Sequence, residues 1–79
     1  MEYYIAEICL FSFDYETSGF ILCDGRSLRV NQNSALYALL GNKFGGDSTN
    51  FNIPNMLGLE PVPGMNYYIC VNGIFPSRS

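Results

Sequence analysis

The chain has 79 residues, of which 48% are hydrophobic and only 14% charged, and its formal net charge is −3. A chain of this length forms one domain with one modest core, so we expect residues 1–79 to fold as a single unit. The four Lys and Arg residues are scattered along an acidic chain, which argues against nucleic-acid binding. A typical soluble domain is about 25% charged, so the low charge predicts that part of the surface contacts other subunits.

Histidine is absent, and the three cysteines at positions 9, 23 and 70 have no paired spacing. We therefore predict no metal, no cofactor and no enzymatic activity, because ligand clusters and an ordinary base for a nucleophile are both missing. The cysteines are expected to be buried and reduced, with a Cys9–Cys70 bridge or an intermolecular disulfide as alternatives. Glu2 and Glu7 interrupt the apolar N terminus, and no stretch is long enough to span a bilayer. We expect synthesis in the cytoplasm without a signal peptide, and no membrane insertion.

The first predicted element is a strand from Tyr3 to Phe13. β-branched and aromatic residues dominate this stretch, and both alternating faces are largely apolar. Such a pattern predicts a strand that is covered on both sides. A turn is predicted from Asp14 to Gly19, where the composition becomes polar and ends in glycine.

A β-hairpin is predicted next, with one arm at Phe20–Cys23 and the return arm at Arg26–Val30. Asp24 and Gly25 stand between the arms. An Asp-Gly pair between apolar runs favours a type I′ turn, since glycine adopts the positive φ angle that this turn requires.

The clearest helix is predicted over residues 31–41. Asn31 is the expected N-terminal cap, with Asn33 or Ser34 as competing caps. Gly41 is expected in the left-handed conformation that follows the last turn. The buried stripe of this helix consists of Leu36, Leu39 and Leu40.

The remainder of the chain alternates between loops and short extended segments. Residues 42–50 form a loop around Gly45-Gly46, and residues 51–53 form a short alternating segment that Pro54 stops. Residues 61–64 are proline- and glycine-rich, and a last strand is predicted over residues 66–75. The fold class is α+β: a small single domain with a hairpin, short strands, one short helix and a C-terminal strand.

The glycine-rich segment 41–49 lacks the features of a phosphate-binding loop. It follows a helix rather than preceding one, and the Gly-Lys-Ser/Thr order is absent. A conformational role for Gly45 and Gly46 is therefore the stronger interpretation. Asp47, Ser48 and Asn50 carry oxygen ligands and leave a weak calcium or magnesium site as the alternative.

Two tyrosine pairs are the candidate interface residues. Neighbours on a strand point to opposite faces, so one tyrosine of each pair can enter the core while the other faces outward. Tyrosine is enriched where protein surfaces meet. The alternative is that both rings line the core edge with their hydroxyl groups in water. The candidate subunit-interface set is Tyr3, Tyr4, Tyr67, Tyr68 and Phe75.

The run SGFILCDGRSLRVNQNSALYALLGNKFGGDSTNFNIP, residues 18–54, resembles the phage tail collar domain family almost from end to end. Ala6-Glu7-Ile8 is similar to the Gly-Glu-Ile opening of the family, and residues 66–78 resemble the closing strand of longer collar proteins. Gly19-Phe20 stands where the family has Gly-Trp. Residues 54–59, PNMLGL, keep the proline and glycine of the next motif but not its acid or arginines. The structural motif residues that this resemblance identifies are Cys23, Asp24, Gly25, Gly41, Gly45, Gly46 and Pro54.

Collar domains of this type occur in homotrimeric tail fibres, between a shaft and a receptor-binding head. The resemblance implies a minimal form without shaft or head, and hence a self-assembling structural protein. Its expected partners are its own copies, as a trimer or a filament, and other tail or fibre proteins. Its expected location is a virion tail, a tail-like particle or an extracellular fibre. The alternative is a soluble protein- or glycan-binding module, with a groove drawn from Asn50, Asn52, Asn55 and Tyr68.

Overall fold

The computed structural model describes residues 3–13 and 15–76. Asp14, the predicted start of the first turn, and residues 77–78 of the closing segment lie outside these ranges. Short strands and one short helix form the chain, so the α+β class is confirmed. In chain order, the elements are β1 (Ile8–Phe11), β2 (Phe20–Leu22), β3 (Ser27–Arg29), a 3-10 turn (Val30–Gln32), α1 (Ser34–Leu40), β4 (Asn50–Asn52) and β5 (Asn66–Cys70).

The larger sheet has three antiparallel strands in the order β1-β5-β2. Its central strand, β5, carries apolar side chains on both faces because both faces are covered. Tyr68 and Cys70 lie on one face with Phe20, whereas Ile69 lies on the opposite face with Ile21. The sheet thus separates two apolar clusters.

The main core lies on the second of these faces, between the larger sheet, α1 and the two-stranded sheet β3-β4. Leu36 of α1 is buried there, and Leu39 and Leu40 pack against it, which confirms the predicted stripe. Fully burying one such side chain contributes about 1.5–3 kcal/mol before entropy is counted. The main core consists of Ile5, Cys23, Leu36, Phe51, Ile53 and Ile69.

The predicted hairpin at Asp24-Gly25 is wrong. β2 pairs with β5, and β3 pairs with β4, so the two arms belong to different sheets. Gly25 does have a positive φ of 80°, as expected. Its N–H donates to the Pro54 carbonyl at 3.2 Å, and Asp24 forms an antiparallel bridge with Asn55. The turn therefore carries the chain from one sheet to the other.

The first strand is shorter than predicted, because a bulge precedes it. The Ala6 N–H donates to the Cys70 carbonyl (2.8 Å), while the Cys70 N–H donates to the Glu7 carbonyl (2.9 Å). Ala6 and Glu7 therefore both lie opposite Cys70, which is the pattern of a β-bulge. Ala6 has a φ of 75° and is the only non-glycine residue at positive φ in the described chain. The Glu7 N–H also donates to the Tyr4 carbonyl at 3.0 Å, which closes a turn. Regular pairing consequently begins at Ile8.

We predict that glycine is tolerated at position 6, whereas valine is not. An alanine residue in the left-handed region destabilises the fold by roughly 1–2 kcal/mol relative to glycine. Replacing it with glycine removes this strain but also raises the entropy of the unfolded chain, which offsets part of the gain. Ala6→Gly should leave the free energy of unfolding unchanged or raise it by up to about 1 kcal/mol. Ala6→Val should lower it by about 1–2 kcal/mol, because a β-branched residue is more strained at positive φ. Urea unfolding measures both variants, and equal stability of the two would contradict the bulge geometry.

The helix starts later than predicted. A 3-10 turn occupies Val30–Gln32, and α1 begins at Ser34, so Asn31 is not its cap. Asn33 precedes the helix, but its side-chain N–H donates to the Arg29 carbonyl at 3.1 Å instead of capping it. Gly41 follows the helix at φ 56°, and its N–H donates to the Tyr37 carbonyl at 2.7 Å. Gly41 thus ends the helix with a positive φ, as predicted, but its ψ of −143° lies outside the left-handed helical conformation that we expected.

The last strand ends at Cys70 rather than Phe75. Beyond it, the chain turns and comes alongside the N-terminal segment, where Tyr4 and Ile74 form a parallel bridge. The Ile5 N–H donates to the Ile74 carbonyl (2.8 Å), and the Ile74 N–H donates to the Tyr3 carbonyl (2.9 Å). Both ends of the described chain are thereby held at one side of the domain.

The three cysteines are free thiols, as predicted, and no Cys9–Cys70 bridge is formed. Cys23 and Cys70 are buried, but Cys9 is only half-buried. Burial raises the pKa of Cys23 to about 11, and the neighbouring Asp24 adds to the shift. In the described ranges, no helix has the length and apolar character needed to cross a membrane.

Candidate functional site

An open groove of about 510 Å³ lies on the face of the larger sheet opposite the main core. Aromatic side chains are the largest group among its lining residues, and hydroxyl and amide side chains also line it. None of its lining side chains is charged. We call it the aromatic groove; it is lined mainly by Tyr3, Phe11, Phe13, Phe20, Asn72 and Ile74, with Thr17 and Ser18 beside them.

The aromatic groove is fixed by ring contacts. Phe11 stacks on Phe13 with ring centroids 4.8 Å apart, and Phe20 meets Phe11 edge-on at 5.4 Å. Tyr3 meets Phe20 edge-on at 4.9 Å. Edge-to-face and offset pairs of this kind contribute about 0.5–1.5 kcal/mol each beyond the area that they bury. The groove wall is thus a preformed aromatic surface.

Tyr68 forms part of the support beneath these rings. Its side chain is 1% exposed, and its hydroxyl donates to the Phe13 carbonyl at 2.9 Å. The Asn66 side-chain N–H donates to the same carbonyl at 3.2 Å. The interpretation of Tyr68 as an interface or groove residue is therefore wrong for the folded subunit: it lies in the core because β5 is covered on both faces.

The other tyrosines differ in burial from their chain neighbours, as expected for neighbours on a strand. Tyr67 is half-buried and packs against the main core. Tyr3 is half-buried and packs on Phe20, while Tyr4 is 54% exposed. Phe75, near the C-terminal end of the described chain, is 50% exposed. The role of Tyr3, Tyr4, Tyr67 and Phe75 in a subunit interface stays a prediction.

The chain ends carry three exposed apolar residues, Tyr4, Ile74 and Phe75, which we call the terminal patch. Tyr4 and Ile74 are bridge partners, so their side chains emerge at the same place. Ile74 is 42% exposed although both of its backbone polar groups are hydrogen-bonded. The patch is therefore apolar, accessible and held by a fixed backbone.

An ion-pair cluster of Glu16, Asp24 and Arg26 fixes the turn between the sheets. The Arg26 guanidinium donates to both oxygens of Asp24 (each 3.0 Å) and to Glu16 (2.7 Å). Glu16 Oε2 also accepts the backbone N–H of Leu22 at 2.8 Å. The hydrogen bonds from Arg26 hold the pKa of Asp24 below its ordinary value. The Asp-Gly-Arg order thus serves to hold the turn.

We predict a pH-dependent effect of Asp24→Asn. Because the pKa of Asp24 is lower in the folded chain, its contribution is present above about pH 4 and is lost as the pH falls below that value. The groups are partly exposed, so the variant should be only about 0.5–1 kcal/mol less stable at neutral pH. This difference should shrink as the pH falls further below that value. Chemical unfolding of both proteins across this range measures it, and a constant difference would refute the assignment.

The loop after α1 is held by Asp47 and two glycines. One oxygen of Asp47 accepts the N–H groups of Thr49 (2.8 Å) and Asn50 (2.9 Å), and these bonds lower the pKa of Asp47. Gly45 and Gly46 have φ angles of 115° and 109°, which confirms their conformational role. Asp47, the acid of the alternative calcium or magnesium site, is therefore part of the turn itself.

The amide groove proposed from sequence is not assembled. Asn50 and Asn52 lie on β4, whereas Tyr68 is buried on β5 in the other sheet. Asn55 accepts the N–H of Leu57 at 3.2 Å. The groove that does form uses Phe11, Phe13 and Phe20. In the sequence, Phe20 stands out only as the replacement for the tryptophan of the family, and Phe11 and Phe13 are not singled out, although the alternation of Cys9, Phe11 and Phe13 places them on one face.

A family model for the phage tail collar domain matches residues 6–61 of the chain. The chain belongs to the phage tail collar domain family. No curated protein matches it. The collar match contains α1, the Asp24 turn, the Asp47 loop and Pro54. It does not contain β5 or the terminal patch, so the central strand of the larger sheet comes from outside the matched collar segment.

Membership of the collar family makes the chain a structural module of the phage tail-fibre type. The features that hold the collar segment together are those that the motifs supply. Cys23 is a main-core residue, Gly25 and Pro54 join the two sheets, and Gly41 ends the helix. The collar motifs in this chain thus stabilise the fold, and the surfaces outside them are the candidates for contact with other proteins.

Proposed function

We propose that the chain is a self-assembling structural component of a phage tail, a tail-like particle or an extracellular fibre, with no catalytic activity. Its partners are other copies of itself, as a homotrimer or a polymer, and other tail or fibre proteins. The terminal patch carries this proposal. Neither nucleic acid nor a membrane is expected to be a partner.

The terminal patch has the properties of a contact surface. Its three side chains are about half exposed, so covering them in a subunit contact would bury apolar area at about 25 cal/mol per Å². Bonds to Tyr3 and Ile5 already fix the backbone at Ile74, so little conformational entropy remains to be lost on association. Low overall charge leaves little electrostatic repulsion between copies.

Light scattering coupled to size exclusion tests the proposal. The wild-type chain should elute as an oligomer, and the double variant Ile74→Ser, Phe75→Ser should shift toward the monomer mass. A matched control is Leu59→Ser, Val62→Ser, which changes two residues of similar exposure in the 54–65 segment. We expect the control to keep the wild-type mass. A folded wild-type monomer at every concentration would contradict self-assembly.

The aromatic groove supports a second candidate, a soluble protein- or glycan-binding module. A groove lined by aromatic, amide and hydroxyl side chains suits the apolar faces and hydroxyls of a sugar, or an apolar peptide side chain. This second candidate predicts a stable monomer that binds selectively on a glycan array. The Phe13→Ala variant should lose that binding. Oligomers without any ligand would favour the structural proposal instead.

A further inference from the structure

Asn72 and Gly73 lie in the turn that leads from β5 to the terminal patch, and they form the one Asn-Gly pair of the sequence. Both residues are exposed. Both also line the aromatic groove, and the next residue along the chain is Ile74 of the terminal patch. A chemical change in this pair would therefore affect the groove and the patch together.

The backbone is anchored on either side of this pair, but the reactive groups of the pair are not engaged. Before the pair, the Val71 N–H donates to a backbone carbonyl at 2.8 Å, and after it the Ile74 N–H donates to the Tyr3 carbonyl at 2.9 Å. Between these anchors, the Gly73 N–H and the Asn72 side-chain amide form no hydrogen bond with any residue in the described ranges. Neither group has to break a hydrogen bond to that part of the chain in order to react.

We propose that Asn72 is a site of spontaneous deamidation, with water as the only co-reactant. The backbone nitrogen of Gly73 attacks the side-chain carbonyl carbon of Asn72, so that a C–N bond forms, and the amide group leaves as ammonia with the proton of that nitrogen. Water then opens the five-membered succinimide ring at one of its two carbonyls and gives either aspartate or isoaspartate. Glycine in the second position favours ring closure, because it has no Cβ to obstruct the approach.

The Asp24-Gly25 pair is the internal comparison, because an Asp-Gly sequence can form the same ring with loss of water. Here both reacting groups are engaged. The Asp24 carboxylate accepts from the Arg26 guanidinium through both oxygens (each 3.0 Å), and the Gly25 N–H donates to the Pro54 carbonyl at 3.2 Å. Every other asparagine is followed by a residue with a side chain. In the folded chain, we therefore expect the reaction at Asn72 and not at Asp24.

Both products alter the surroundings of the turn. Each places a carboxylate beside the aromatic groove, whose lining side chains in the described ranges are all uncharged. Isoaspartate also directs the main chain through its side-chain carbon, which adds one atom to the backbone just before Ile74. Gly73 has little room to shift in response, because even a Cβ there would overlap the Tyr3 carbonyl. We therefore expect isoaspartate to weaken the hydrogen bonds that join Ile74 to Tyr3 and Ile5.

Incubation of the folded chain at mildly alkaline pH, followed by peptide mapping with mass spectrometry, tests the site. We expect Asn72 to lose its amide about tenfold faster, or more, than any other asparagine, a difference that needs a barrier only about 1.4 kcal/mol lower. An isoaspartyl methyltransferase should label residue 72 but not Asp24, whereas in a urea-unfolded sample it should label both positions.

Asn72→Gln is the blocking variant, because glutamine has to close a less favourable six-membered ring. It should stay unmodified over the same incubation, and circular dichroism verifies that it is folded. Amide hydrogen exchange at Ile5 and Ile74 should be faster in the isoaspartate fraction of the wild type than in the fresh protein. The incubated Asn72→Gln variant should keep the exchange rates of the fresh protein.

Two results overturn the inference. If Asn72 of the folded chain reacts no faster than the other asparagines, the fold protects the turn and the site is wrong. If Asp24 of the folded chain forms isoaspartate as fast as Asn72 does, the hydrogen bonds of the two turns do not control the reaction, and the assignment is again wrong. The inference goes beyond the proposed self-assembly and does not depend on it, since these measurements give the same answer for a monomer.

Discussion

Gly46→Ala should lower the free energy of unfolding by at least about 3 kcal/mol. A Cβ at Gly46 would overlap the Asn50 carbonyl and would lie 2.6 Å from Cα of Phe51. Both obstacles are backbone atoms, which cannot move aside as a flexible side chain can. The φ of 109° adds strain, because side chains disfavour this region. A domain has about 0.05–0.15 kcal/mol of stability per residue, so this loss removes a large part of the total for a chain of 79 residues.

Gly58→Ala is the matched control for this prediction. Gly58 also has a positive φ, of 84°, but a Cβ there would meet no atom within 4 Å. This variant therefore isolates the backbone strain, which costs about 1 kcal/mol. Urea unfolding of both proteins separates strain from steric overlap. Equal losses would show that the close approach of the Gly46 loop to β4 is absent in solution.

Phe51→Ala should cost about 3–5 kcal/mol, the range for truncating a buried aromatic residue. Phe51 is 0% exposed in the main core, and its ring lies 5.2 Å from that of Tyr37. It joins β4 to α1, so the cavity lies where the smaller sheet meets the helix. The surrounding side chains belong to different elements, which limits how far they can close the space.

Phe44→Ala is the matched control, because it makes the same phenylalanine-to-alanine change at an exposed position. Phe44 is an exposed phenylalanine, and its truncation should cost less than about 1 kcal/mol. Thermal or urea unfolding gives both values. If the two variants were equally stable, the main core would not be organised around Phe51.

Local features of the fold were predictable where the residue type or its spacing allows only one conformation or one buried face. Gly41 ends α1 and Gly45-Gly46 forms a tight loop, because only glycine adopts such angles without strain. Leu36 and its helical neighbours form the buried stripe, since their spacing fixes their face.

Strand pairing was not predictable from the same local patterns. Asp24-Gly25 has the composition of a hairpin turn, yet the choice between β3 and β5 as partner of β2 depends on contacts distant in sequence. Ala6 likewise has the sequence surroundings of an ordinary strand residue. Its positive φ follows from the bulge opposite Cys70, which lies more than sixty residues further along the chain.

The candidate site was predicted only in part. Tyr4 and Phe75 are exposed, and their role in a subunit interface stays a prediction, whereas Tyr68 is in the core because both faces of β5 are covered. The aromatic groove was missed because its rings come from β1, β2 and the segments beside them. Residues that are far apart in sequence meet there only once the larger sheet has formed.

Sedimentation equilibrium of the wild-type chain over a wide concentration range tests the central claim most directly. Self-assembly predicts a mass that rises with concentration toward an integral multiple of the 8.8 kDa subunit, or toward polymer. A constant mass of one subunit, in a sample whose circular dichroism shows the folded chain, would contradict the account and leave the groove-binding module in its place.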